Sequence, residues 1–243
     1  KAGTVREAER WLEGLMASKH NLGISNIAIN QIHDGIKGMR ATAAENVSQS
    51  FKAVEDGAAE GIQAIADREE EIDLSNMRLS RKISKCLVLD QTPKDIDTLN
   101  RMYTILGNIE RIGDHAMNLA EYAETIEEKG LQFSNYAKKE FAVMEETCRE
   151  GMELLMAAAA GDTQSPLLKV AEIEQRIDDI TRKFRQNQID RMREGNCNVE
   201  SSILYSEMLT DYERIGDHML NIAQAYDDIE WSGDRGQTAA AIA

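Results

Sequence analysis

Residues 108–121 read NIERIGDHAMNLAE, and residues 211–224 read DYERIGDHMLNIAQ. Six identical residues recur 103 positions apart, and the residues around them follow the same offset. Ile105, Ile109, Ile112, Ala116, Leu119 and Ile126 align with Met208, Tyr212, Ile215, Met219, Ile222 and Ile229. These positions trace one apolar face of a helix. Upstream, an offset of 105 sets Ile62, Ile65, Ile72 and Leu79 on Leu167, Val170, Ile177 and Phe184. All are apolar at heptad spacing, the pattern of a bundle seam. The two offsets differ by two residues of loop, so the chain reads as an internal duplication.

Helix punctuation divides each copy into three. The first copy holds one helix over about 24–55 and a second over about 58–89, parted by the weak stretch EDGAAEG. Thr92-Pro93 supplies a cap and a first-turn proline for a third helix, which ends near Lys129 with Gly130 as its C-cap. In the second copy, helices cover about 134–159, from Ser165-Pro166 to near Gly195, and from an Asn198 cap to about Trp231. Strand-like alternation is absent. The fold class is all-α: two tandem three-helix bundles. The organisation is a linker or helix over 1–23, bundles over 24–130 and 131–232, and a frayed tail over 233–243. Trp11, Leu12, Leu15 and Met16 make a short apolar stripe in the first segment, which fits a helix packed on the bundle or a linker.

Composition agrees. Aromatics are 5% of the 243 residues and there are two prolines, which disfavours a β-sandwich or barrel. The formal net charge is −15, which repels nucleic acid and anionic membranes and favours cations. Cys86, Cys148 and Cys197 are scattered and odd in number, which points to a reducing compartment and away from a disulfide framework. No apolar run reaches the roughly 18 residues needed to span a bilayer.

The chemistry lies in carboxylates. Glu69 with Asp73, Glu110 with Asp114, Glu174 with Asp178, and Glu213 with Asp217 are each four residues apart, on one helix face. Within each copy one pair falls on the middle helix and one on the third, so four carboxylates converge if those helices face each other. Their repulsion is relieved by protonation, by arginines near in sequence (Arg68, Arg111, Arg176 and Arg214), or by a metal. All-carboxylate sites suit magnesium, manganese, calcium or iron. Gly113 and Gly216, each between two acids, leave room for a close helix or a cluster. His115 and His218 follow the acids directly, as ligands or as satisfied bundle residues.

The two ERIGDH segments, each followed by xxNxA (Asn118 and Ala120; Asn221 and Ala223), resemble the PhoU family. The upstream EEEID and EQRID resemble that family's second acidic motif, and the likeness covers about residues 24–231. The resemblance implies two three-helix bundles with pseudo-twofold symmetry, a non-enzymatic role in phosphate signalling, and multinuclear metal clusters on E(D)xxxD motifs. It thereby implies Glu69, Asp73, Glu110, Asp114, Glu174, Asp178, Glu213 and Asp217 as ligands, for iron foremost, with manganese, magnesium or zinc as alternatives. RMREGNCNVESSILYSEMLTDYERIGDH and the lead-in LDQTPKDIDTLNRMYTILGNIERIGDH are more similar to the cytoplasmic tails of sodium/phosphate cotransporters than to standalone members. A start at Lys1 and the segment REAERWLEGLMASKHNLG fit the same setting. The expectation is therefore a cytoplasmic regulatory tail at the inner face of the membrane. Its partner is the transporter's membrane domain or other phosphate-transport and signalling proteins, and a homodimer is allowed. A standalone regulator of the phosphate ABC transporter and Pho regulon is the alternative.

Symmetry is broken at Glu121, whose counterpart is Gln224, and at Asn108, whose counterpart is Asp211. A ferritin-like oxidase is disfavoured, because no glutamate stands three residues before any histidine. A metal-free helical interaction module, with the acids as a salt-bridged surface, is the remaining contrast. No nucleophile–base set or phosphate-binding glycine loop occurs.

Overall fold

The computed structural model describes residues 2–89, 91–159, 165–195 and 197–229, with side chains from residue 26 onward except at 159. Six helices and no strand occur among the described residues: α1 (Ala2–Asp56), α2 (Ile62–Leu87), α3 (Pro93–Lys129), α4 (Asn135–Ala159), α5 (Leu167–Arg193) and α6 (Val199–Asp227).

The local signals act where the sequence puts them. The Thr92 hydroxyl accepts from the Asp95 amide at 3.1 Å, with Pro93 in the first turn. Gly130, at φ 59°, closes α3 in the left-handed conformation. Asn198 Oδ1 accepts from the amides of Glu200 and Ser201. Two boundaries differ. α2 starts at Ile62 rather than near 58, because Gly57 and Gly61 both take positive φ and the chain turns between them. The first helix is continuous from Ala2 and crosses the boundary expected at residue 24. Gly23 does not end it; one helical glycine costs only about 1 kcal/mol. The stripe at Trp11, Leu12, Leu15 and Met16 lies outside the described side chains. The expected tail over 233–243, the Trp231 end of the last helix and most of the break at AGDTQSP lie outside the described residues.

α1, α2 and α3 pack on one another, as do α4, α5 and α6. The halves join where α3 packs on α6 and α1 on α4. Arg101 near the start of α3 pairs with Asp228 just past the end of α6 at 2.8 Å. Lys129 at the end of α3 reaches Glu200 at the start of α6 at 3.9 Å, so these two helices run antiparallel. All twelve aligned apolar residues are buried, eleven in α3 and α6 and Ile229 just past the end of α6. They belong to one hydrophobic core that runs through both halves.

The duplication also extends to the first helix of each half. At an offset of 105, Ile36, Met39, Ala43 and Val47 of α1 meet Phe141, Met144, Cys148 and Met152 of α4, and all eight are buried. One buried pair reverses charge: Arg40 corresponds to Glu145. The Arg40 guanidinium lies over the Tyr226 ring at 5.4 Å. Glu145 accepts from the Tyr212 hydroxyl at 2.7 Å.

Candidate metal centres

Each middle helix meets its third helix across a glycine. A Cβ on Gly113 would stand 3.2 Å from Ile72 Cδ1, and one on Gly216 would stand 3.0 Å from Ile177 Cδ1. The isoleucines of EEEID and EQRID thus seat on the glycines of the two ERIGDH segments. That close approach carries the flanking acids together. Glu69, Asp73 and Asp114 each offer a carboxylate oxygen within 4.8 Å of the others, and Glu174, Asp178 and Asp217 do the same in the second half.

The fourth acid of each set stands aside. Glu110 accepts from the Asn76 amide at 2.8 Å, and Glu213 accepts from Arg185 at 3.2 Å. Asn76 and Thr181 occupy the same place in the two seams, but only Asn76 reaches its glutamate. Thr181 is buried with its hydroxyl unpartnered, and Arg185, one turn on, takes over the glutamate.

The arginines near these acids mostly serve elsewhere. Arg68 donates to Asn46 on α1 at 2.7 Å, and Arg176 pairs with Glu150 on α4. Arg214 alone of the four pairs with a clustered acid, Asp217, at 3.0 Å. The second half therefore sets two guanidinium groups, Arg185 and Arg214, against its acids. The first sets the Asn76 amide against Glu110, and Arg111 acts on Glu110 and Asp114 through its charge rather than through an ion pair. Consistent with crowding, partial burial and then neighbouring carboxylates push Glu69, Glu110 and Asp114 above the ordinary carboxylate range. Burial, then Asp178 and Asp217, raise Glu174 likewise.

These residues fit a hard cation. The donors are all carboxylate oxygens, which suit magnesium, calcium, manganese or iron over softer ions. Metal–oxygen distances of about 2.0–2.6 Å put opposite ligands about 4–5 Å apart, so three oxygens within 4.8 Å need little movement to share an ion. A cation would also remove the repulsion that the glycine-enforced approach creates.

The histidines do other work. Neither belongs to a carboxylate group. His115 Nδ1 donates to Asp211 Oδ1 at 2.6 Å, and His218 Nδ1 donates to Asn108 Oδ1 at 2.9 Å. The two rings stack at 5.4 Å between α3 and α6. Asn118 donates to Asp211 at 3.0 Å, and Asn221 to Asn108 at 3.1 Å. Tyr122 also hydrogen-bonds Asp211, whose charge, after burial, drives the phenol well above its ordinary range. Burial, then His115, lowers His218 to about 4 and keeps it neutral. The repeated string thus has two faces. Its acids and glycine meet the middle helix; its histidine and the later asparagine hold the other half of the molecule. The signal for this junction was the Asn108/Asp211 break in symmetry, since these positions are the acceptors across the repeat.

Comparison with known proteins agrees with this architecture. The family model described as "PhoU domain" matches residues 36–123 and 141–226. The phosphate-specific transport system accessory protein PhoU homolog 1 of Thermotoga maritima is 24% identical over 181 residues, covering 67% of this chain and 77% of that protein. The PhoU homolog of Synechocystis is 23% identical over 209 residues, covering 81% of this chain and 87% of that protein. The crystal structure of PhoU from Pseudomonas aeruginosa superposes with a TM-score of 0.77 at 20% identity, covering 82% of this chain and 95% of that one. The phosphate transport system regulatory protein PhoU from Streptococcus pneumoniae gives 0.73 at 17% identity, covering 83% and 94%.

Proposed function

The chain belongs to the PhoU family, and from that premise we propose that it regulates phosphate transport through two carboxylate metal centres. One observation carries the metal part: in each half, three carboxylates from two helices come within 4.8 Å of one another. Glu69, Asp73 and Asp114 hold the first ion, and Glu174, Asp178 and Asp217 the second, with Glu110 and Glu213 in reserve for a larger cluster. Iron is the leading candidate, then manganese, magnesium or zinc. The ions are read as structural or signalling groups, in keeping with a regulatory family.

Two settings compete. The relatives above are named as accessory proteins of phosphate-specific transport, and the chain covers most of their length. That favours a standalone regulator acting with the phosphate transporter and its signalling partners. The tail of a sodium/phosphate cotransporter is the second reading, carried by the segments preceding the two ERIGDH strings. No described helix is long and apolar enough to cross a membrane.

Elemental analysis of protein purified without chelator tests the metal part. Bound iron or manganese is expected, and Asp114→Ala with Asp217→Ala should release it while helicity persists. No metal, and no thermal shift with iron, manganese or magnesium, sinks it. The regulatory part is tested in the host: loss of the gene should change phosphate uptake, and unaltered uptake overturns it.

A further inference from the structure

The outer ridge of α2 lies opposite the side on which Ile65, Ile72 and Ile83 are buried. Asp67, Glu70, Leu74, Met77 and Arg81 follow one another along it at spacings of three, four, three and four residues, with Lys85 one turn further on. That spacing keeps them on one helix face and is the spacing of a coiled-coil seam. All six are exposed. Their order is acidic, apolar, basic. The centre is aliphatic, with Leu74 48% and Met77 42% exposed. Asp67 accepts from the Gln63 amide at 2.8 Å. Among the described residues, no charged side chain of α2 forms an ion pair.

The duplication supplies an internal control. The matching ridge of α5, 105 positions on, reads Glu172, Gln175, Asp179, Arg182, Gln186 and Asp190. It has no apolar centre, and its charges are answered within the helix. Arg182 pairs with Asp179 at 3.2 Å and Arg193 with Asp190 at 3.5 Å, while Gln175 and Gln186 donate to the same two aspartates. A face covered by water alone is satisfied in this way. The α2 ridge instead separates its charges by sign and leaves two aliphatic side chains between them. Such a strip is complementary to one of reversed order, and α2 run in the opposite direction is that strip.

We propose that the α2 ridge is the contact face of a symmetric homodimer, with α2 of a second copy lying antiparallel across it. A two-fold axis crossing the ridge midway between Leu74 and Met77 sets Leu74 against the partner's Met77 and Glu70 against the partner's Arg81. Asp67 then falls beside the partner's Lys85. The contact is isologous, so every pair occurs twice and the assembly closes at two copies. From Gln63 to Val88 the ridge is about 37 Å long at 1.5 Å per residue. One helix pair makes a small interface, so a dissociation constant on the order of 10 μM is expected. The overall charge of −15 does not prevent it. At physiological ionic strength the screening length of about 8 Å confines repulsion to the contact, where opposite signs meet. The inference is independent of the metal reading, because none of the six residues belongs to a carboxylate group described above.

Sedimentation velocity on the full chain in chelator, over about 1–200 μM, tests this by bracketing the expected constant. A monomer–dimer equilibrium is expected. Glu70→Arg alone, or Arg81→Glu alone, sets like charges together at two places and should weaken association by about tenfold or more. The double variant Glu70→Arg with Arg81→Glu should restore it. An equimolar mixture of the two single variants should associate as well, because each then meets its opposite. Helicity and melting temperature, recorded for every variant, establish that these exposed substitutions leave the fold intact. A chain that stays monomeric throughout the range overturns the proposal and leaves the ridge to solvent or to a different partner. A dimer that neither reversal weakens overturns it too, since the copies then meet elsewhere. So does a folded double variant that remains monomeric.

Discussion

Two buried acids show how position sets the meaning of a carboxyl. Glu145 is raised to about 8 by burial, against an ordinary value of 4.5. Its folded-state value exceeds the unfolded one, so its stabilising contribution is full below about pH 4.5 and lost as pH rises through 8. The stability of the wild type relative to Glu145→Gln should therefore fall across that window by up to a few kcal/mol. Urea unfolding at several pH values measures this, and a difference independent of pH refutes it. Asp211 is instead answered on several sides, by His115, Asn118 and Tyr122. Asp211→Ala strands those donors at the junction between the halves and should cost about 2–3 kcal/mol. Denaturant melts read the loss. The acids of the candidate sites were legible because residues four apart share a helix face whatever the tertiary fold. The role of His115 was not, because its acceptor is on another helix, 96 residues away.

The helices were legible for a related reason: their apolar period, caps and glycine stops are local and occur twice. The start of α1 was placed too late because no cap marks the boundary near residue 24, whereas the Thr92-Pro93 cap and the left-handed Gly130 bounded α3 correctly. How the middle and third helices seat was half legible. Glycine between acids implied closeness, but only packing shows isoleucine as the opposing group. Gly216→Val would drive a branched side chain into Ile177, already 3.0 Å from an added Cβ. Overpacking of this kind should cost about 1–3 kcal/mol and part α5 from α6, lowering metal affinity in the second half. Melting and metal titration together check this; full affinity in a destabilised variant would show that the seam does not position the acids. The two seams also predict unequal affinities. In the second half an ion must compete with the Arg185–Glu213 and Arg214–Asp217 pairs, whereas Arg111 in the first half acts on Glu110 and Asp114 through its charge without such a pair, so the first half should fill first in a metal titration. Replacing Arg185 and Arg214 by glutamine should bring the two steps together, while equal steps in the wild type would contradict this.

At the scale of the molecule, two acidic faces are held by one core, and self-repulsion among 43 acids against 28 bases opposes folding. Metal should therefore act as a folding ligand. At a free concentration one hundred times its dissociation constant, each ion adds about 2.7 kcal/mol. The melting temperature should rise with metal and return with chelator, and a temperature indifferent to both would argue for the metal-free interaction module.

The junction of α3 with α6 has a further consequence. If two separate copies of one unit met there, symmetry would force the same side chain at both acceptor positions. Two aspartates would crowd like charges, and two asparagines would forgo the carboxylate acceptor that His115 and Asn118 share. Joining the units in one polypeptide removes that constraint, so Asn108 and Asp211 can differ, as Arg40 and Glu145 do. Tandem fusion thus makes inequivalence heritable. Each half can drift toward its own ion, affinity or partner without disturbing its twin, a freedom closed to any symmetric dimer of a single unit.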